Sequence, residues 1–167
     1  MKRFLVLSLV LSIFLVACVT PETTVRKTSA PTPVAVWDFE DLSPYTGHQF
    51  SYLKTVLADV AIKRLNEIQG VQPIERTRLV QVLEEQAIGS SELASEKTRL
   101  RLGKLLGAKE MIFGAFQILG ENARIDVRLV DVETSKVIAA DGKVIDGFDA
   151  EKAMKTVEAL VAGLFSG

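Results

Sequence analysis

Few side chains in this 167-residue chain carry groups able to do chemistry: one thiol, Cys18, one imidazole, His48, and an acidic cluster, Asp38, Glu40 and Asp41. Three carboxylates so close together could hold Mg²⁺ or Ca²⁺, which favour oxygen ligands. Alternation along an extended strand puts Asp38 and Glu40 on the same side, and open α/β sheets often bind ligands at the carboxyl ends of their strands. The alternative is a solvated strand end. His48 has no second histidine with which to build a metal site or a nucleophile–base pair, and reads as an exposed loop residue. Gly103-Lys104-Leu105-Leu106-Gly107 spaces two glycines four apart but lacks the Lys-Ser/Thr of a phosphate cradle, so it reads as a closely packed helix end. Glu75-Arg76 with Arg78, and Glu84-Glu85-Gln86, mark the two ends of a short helix and suit ion pairing, a solvated face or a partner surface. Acids without a base or electrophile beside them do not make an active site. No constellation supports catalysis, and no cofactor or resident metal is expected.

Cys18 is the exception, because of what precedes it. Lys2-Arg3 opens the chain, followed by an apolar run from Phe4 to Ala17 broken only by Ser8 and Ser12. Such a run suits the h-region of an export signal and is too short to span a bilayer comfortably. It ends in Leu15-Val16-Ala17-Cys18, which resembles the bacterial lipobox, where the thiol takes a diacylglycerol by thioether linkage. With a single cysteine, no disulfide forms within the chain. Residues 1–17 are therefore expected to be a lipoprotein signal peptide and Cys18 the lipidation site. Burial of acyl chains contributes roughly 0.8 kcal/mol per methylene, enough with two or three chains for permanent anchoring. Val19, rather than Asp, follows the cysteine, which by resemblance to lipoprotein sorting favours the outer membrane in a cell with two membranes.

Loss of Lys2 and Arg3 with the signal takes the basic count from 20 to 18 against 21 acids, a formal charge near −3. A nucleic-acid-binding surface is not expected at that balance. The remaining length allows one domain of ordinary size. Residues 18–33, the lipidated cysteine and a segment rich in Thr and Pro, read as a flexible tether reaching up to roughly 45 Å at about 3.1 Å per residue. The domain is expected over 34–167.

Within it, the apolar Val34–Phe39 suits a first, central strand covered on both faces. Phe50, Leu53, Leu57, Val60, Ala61, Leu65 and Ile68 recur at three and four, predicting an amphipathic helix over 49–68 that Gly70 ends. Val71–Ile74 reads as a short strand, and Thr77 as the cap of a helix carrying Leu79, Val82 and Leu83. A further helix is expected over 95–106, stopped by Gly107. Three strands follow, at 110–119, 123–132 and 136–145, the middle one alternating Ile125, Val127 and Leu129 with Arg124, Asp126 and Arg128. They should form an antiparallel meander. A last helix over 149–165 buries Met154, Val157, Leu160, Val161 and Leu164. The order βαβααβββα indicates an α/β fold, a mixed sheet flanked by helices.

These pieces, in order, resemble a known family: Val34-Ala35-Val36-Trp37-Asp38-Phe39, Ile74-Glu75-Arg76-Thr77-Arg78-Leu79 with Val82 to Gln86, Leu102 to Ala108, Ile112-Phe113-Gly114, and Val127 to Val132 before Thr134. Over roughly residues 33–145 the chain is similar to the periplasmic domain of the curli assembly/transport lipoproteins, the CsgG-like proteins. The resemblance implies a CsgG periplasmic-domain fold, anticodon-binding-domain-like, in an outer-membrane lipoprotein that faces the periplasm and forms homo-oligomers. It implies no catalytic residues. Channel-forming members insert two membrane hairpins per subunit, and here only about ten residues separate the strands at Phe113-Gly114 and Ile125–Leu129. A hairpin needs two strands of about 9 to 11 residues and a turn, so the resemblance is to a short form without transmembrane hairpins. Related domains occur in lipoproteins that activate peptidoglycan synthases and in a periplasmic translocation protein. The expectation is thus a non-enzymatic, lipid-anchored envelope protein acting through protein contacts in outer-membrane assembly or secretion. The alternatives are an activator of a peptidoglycan synthase, and a small-ligand or metal-binding domain using Asp38, Glu40 and Asp41.

Overall fold

The computed structural model describes residues 30–44, 49–85 and 95–166. Cys18, its signal, most of the tether, His48 and Gln86 lie outside them. The strands are β1 (Thr32–Val36), β2 (Glu40–Asp41), β3 (Val71–Pro73), β4 (Glu110–Leu119), β5 (Asn122–Asp131) and β6 (Val137–Ile145). The helices are α1 (Leu53–Leu65), α2 (Arg76–Glu85), α3 (Glu96–Leu105) and α4 (Ala150–Leu164). One mixed sheet runs β3-β1-β4-β5-β6, with β2 also on β4. β1 is parallel to β3 and β4, while β4, β5 and β6 form the expected antiparallel meander.

The meander follows from its alternation. Ala123, Ile125, Val127 and Leu129 are buried on one face of β5, where α1 and α4 pack with Leu57, Leu65, Val157 and Val161 into the larger core. Phe50 and Phe148 close one side of it, edge to face at 5.4 Å between ring centroids. On the other face, Ala35, Trp37, Met111, Phe113 and Val130 pack against Leu79 of α2 and Leu100, Leu102 and Leu106 of α3. Both faces of β1 are thus covered, as its composition requires.

β4, rather than the first strand, lies at the middle of the sheet, and the apolar run 34–39 is not one strand. β1 meets β4 as Val36↔Ile112, whereas β2 meets it as Glu40↔Ala115. Four steps on one side oppose three on the other, so the chain bulges by one residue at Trp37-Asp38-Phe39. There the Phe39 N–H leaves the ladder and donates to the Lys54 carbonyl at the head of α1 (3.0 Å). Trp37 consequently enters the smaller core and Phe39 the larger. The Phe39 ring fills the place a side chain at Gly114 would need, since a Cβ there would lie 2.3 Å from it.

The helix boundaries also differ. Helix α1 begins at Leu53, after turns, rather than at Gln49, and α2 begins at Arg76, which puts Thr77 inside the helix instead of at its cap. Helix α3 stops as expected. Gly107 takes φ +77°, and its N–H and that of Ala108 donate to Lys104 and Gly103 (3.0 and 2.9 Å), the Schellman pattern. Gly103 lets α3 sit on the sheet, because a Cβ would lie 2.3 Å from Met111 Sδ.

No membrane hairpin interrupts the described meander. β4 and β5 stay paired to Leu119↔Asn122, leaving Gly120-Glu121 as the turn, and Asp146–Asp149 alone separate β6 from α4. Among the described residues no helix is long and apolar enough to cross a membrane.

Two measurements test this packing. Gly114→Ala should cost about 1–3 kcal/mol in urea denaturation, and the loss should shrink in a Phe39→Leu background; an equal loss in both would refute the ring-in-notch contact. Burial, and secondarily Asp131 opposite it, raises the Glu110 carboxyl above its ordinary value near 4.5. Its ionisation therefore opposes folding at neutral pH and is relieved as pH falls through the raised value. Glu110→Gln should raise Tm at pH 7, with the gain disappearing below the ordinary value.

Candidate functional site

Helices α2 and α3 cover only part of their face of the sheet. Beyond them the distal half of β4, with β5 and β6, forms a depression of about 500 Å³ floored by Phe113, Ala115, Ala140 and Gly142 and rimmed by Glu40, Leu42, Arg124, Asp126 and Arg128. Leu42 is 55% exposed. Alternation on β5 produces this surface, because the residues between its buried apolar ones point here.

Three arginines shape it. Arg99 of α3, with only 11% of its side chain exposed, pairs with Glu40 and lies over the Trp37 ring, 5.6 Å from its centroid. Arg128 stands opposite Phe113 on β4, over its ring at 5.4 Å, and donates from Nη2 to Glu96 Oε2 of α3 (2.8 Å). Arg124 grips Asp126 with two bonds, Nε to Oδ2 (2.8 Å) and Nη2 to Oδ1 (2.6 Å), which hold its guanidinium above its ordinary pKa. That pair lies across Gly142, where a Cβ would come 2.2 Å from Asp126 Oδ1. Bidentate and ring-stacked guanidinium groups are fixed in direction, so the polar pattern of the face is set in advance.

The acidic cluster does not assemble as a cation site. Asp38 is clamped by both Nη atoms of Arg76, Nη2 at 2.9 Å from Oδ2, and this bonding raises the Arg76 pKa. Glu40 turns to Arg99 instead. Asp41 accepts the Ser43 N–H (2.9 Å), and Ser43 Oγ accepts the Ile118 N–H (2.9 Å), tying the chain to the end of β4. The bulge breaks the alternation that would have put Asp38 and Glu40 together. Among the described residues no three His, Cys, Asp or Glu side chains converge as metal ligands. Of the charges flanking α2, Arg76 serves Asp38, Glu85 accepts from Gln81 Nε2 (3.1 Å), and Glu75 and Arg78 border a separate surface hollow beside Pro33. Lys104 bonds Glu133 across the surface (2.6 Å).

Arg99 carried no motif in the sequence; the spacing of Glu96 and Arg99 on one helix face was its sole trace. Because Arg99 is buried against Trp37 and Glu40, Arg99→Ala should cost about 1.5–3 kcal/mol in urea denaturation, while Arg124→Ala, on an exposed pair, should leave the midpoint nearly unchanged. Equal effects would show that the two arginines are not differently embedded.

The family model for "Curli production assembly/transport component CsgG" matches residues 22–125. No protein of curated function matches the chain in sequence. Among solved structures, the lipoprotein GNA1162 from Neisseria meningitidis superposes with a TM-score of 0.55 at 14% identity, over 82% of this chain and 99% of that one. The PelC dodecamer from Paraburkholderia phytofirmans gives 0.50 at 14% identity, over 81% and 86%. The LpoB C-terminal domain from Escherichia coli gives 0.50 at 10% identity, over 70% and 84%. At such identities these likenesses establish a shared fold, while the family model spans most of the chain: the protein belongs to the CsgG family, with no transmembrane hairpin among its described residues.

Proposed function

We propose that this protein is a lipid-anchored component of the bacterial cell envelope, held at the outer membrane through Cys18 and facing the periplasm, and that its domain acts without catalysis, through protein contacts in assembly or secretion. Membership of the CsgG family carries this reading. It is supported by the sequence Leu15-Val16-Ala17-Cys18 and by the Thr- and Pro-rich segment that follows, which would hold the domain away from the lipid.

The described surface suits contact better than reaction. Its charged groups on the open sheet face are engaged with one another, and its hollow is floored by small and aromatic side chains. Such a face presents directional polar groups around an apolar centre, the arrangement of protein interfaces. The PelC dodecamer shows that this fold is compatible with assembly of like subunits.

The test is fractionation of cells expressing the full chain or Cys18→Ser. The wild-type chain should incorporate labelled fatty acid and sediment with outer membranes; the variant should lose the label and appear in the soluble periplasmic fraction. Retention of the variant in the membrane would remove the lipid anchor from the account. Cross-linking in intact cells should then capture an envelope protein. A peptidoglycan synthase as that partner would select the activator reading over assembly or secretion.

A further inference from the structure

The sheet has two edges, and they are not alike. Strand β3 is three residues long and ends in Pro73, which has no N–H to offer. Strand β6 is nine residues long and, among the described residues, pairs with β5 alone. It exposes apolar side chains along its length: Val137 and Val144 are each 53% exposed and Ile138 51%. A long edge with apolar side chains is a template for another strand.

Its two charged residues flank Gly142 and are both exposed. Asp141 accepts the Gly142 N–H (2.7 Å), while Lys143 has no ion-pair partner among the described residues. Charges that merely guard an edge need no sign pattern. Here opposite signs stand symmetrically about a glycine, and that pattern is self-complementary under a two-fold axis. Antiparallel pairing of two β6 strands about an axis normal to the sheet keeps each side chain on its own face, so only registers centred on a residue are allowed. Centred on Asp141 or on Lys143, the pairing opposes like charges. Centred on Ala140, it opposes Asp141 to Ala139. Centred on Gly142, it opposes each Asp141 to Lys143 of the second copy, twice, and each Ala140 to Val144 on the other face.

We propose that β6 is a homodimerisation edge, at which two copies join in antiparallel register centred on Gly142, with reciprocal Asp141–Lys143 pairs, to form one continuous sheet. The interface is isologous and closed. Cross-strand opposite charges favour such pairing and like charges oppose it, so charge sets the register while the edge backbone and the exposed valines supply the contact. This inference stands independently of the envelope role proposed above.

The experiment is sedimentation of the full lipidated chain in detergent, at an excess of micelles over protein that places no more than one chain per micelle by chance, with Lys143→Asp, Asp141→Lys and the double exchange Asp141→Lys/Lys143→Asp. The wild type should form a dimer that weakens at high salt. Each single variant should dissociate about tenfold or more readily, the equimolar mixture of the two single variants should recover a dimer, since their charges complement each other, and the double exchange should dimerise like the wild type. Recovery in the mixture also certifies that both single variants are folded. A wild type that is monomeric at every concentration, an edge covered only on addition of a different protein, a larger assembly indifferent to all these changes, or single variants that dimerise undiminished would each overturn the proposal. None of these results bears on the Cys18 fractionation, so the two readings fail separately.

Discussion

The contact between the Phe39 ring and the notch at Gly114 fixes more of this structure than any other. To place that ring in the larger core, the chain leaves the β1 ladder for the head of α1 and gains one residue on β4. The same bulge leaves Trp37 in the opposite core. It also separates three neighbouring carboxylates: Asp38 goes to the start of α2, Glu40 to α3, and Asp41 into a turn. An apolar aromatic inserted between acids therefore decides that the acids act as three separate fasteners for helices and strand, instead of gathering around a cation.

From this follows the unequal covering of the sheet. Helices α1 and α4 bury one face across β1, β4 and β5, with a contiguous set of fully buried side chains. On the other face Arg99 and Glu96 hold α3 at the boundary, through Glu40 and Arg128, and the apolar cluster ends there. Past that line the sheet carries Arg124, Asp126 and Arg128, whose exposed heads and ring contacts tolerate water. The open face is therefore not an unfinished core. Its residues alternate with buried ones on the same strands, so the pattern that closes one side prescribes the other.

Much of this was legible in the sequence, and what was not has a physical reason. The meander read clearly because period-two alternation on β5 and the continuous apolar run on β4 are local signals; β4 has the expected limits, Glu110–Leu119. The end of α3 read clearly because a glycine with φ above zero closes it. The bulge was not legible, since it exists only in the register between β1–β2 and β4, far away in the chain. Neither were the arginine pairs: Arg76 lies 38 residues from Asp38, and Arg99 lies 59 from Glu40. The acidic cluster was visible as composition, but its assignment depends on those distant partners. Along β6 the apolar run reads as one more meander strand, and it takes the sheet order to show that its far side has no neighbour among the described residues.

A hollow whose charges are mutually satisfied exerts little long-range pull, so association there depends on shape and on apolar contact more than on charge attraction. A partner that displaced Glu96 from Arg128 or Asp126 from Arg124 would have to replace each bond it broke, because an arginine left buried without its acid is strongly unfavourable. The face thereby discriminates: a surface matching the existing bonds can approach, and one that leaves them broken is excluded. Discrimination by fixed, prepaired groups requires rigid supports, and both arginine-bearing elements have them, β5 between two neighbouring strands and α3 on the Gly103–Met111 contact. In the contact role proposed above, specific recognition would rest on the same packing that fixes the fold.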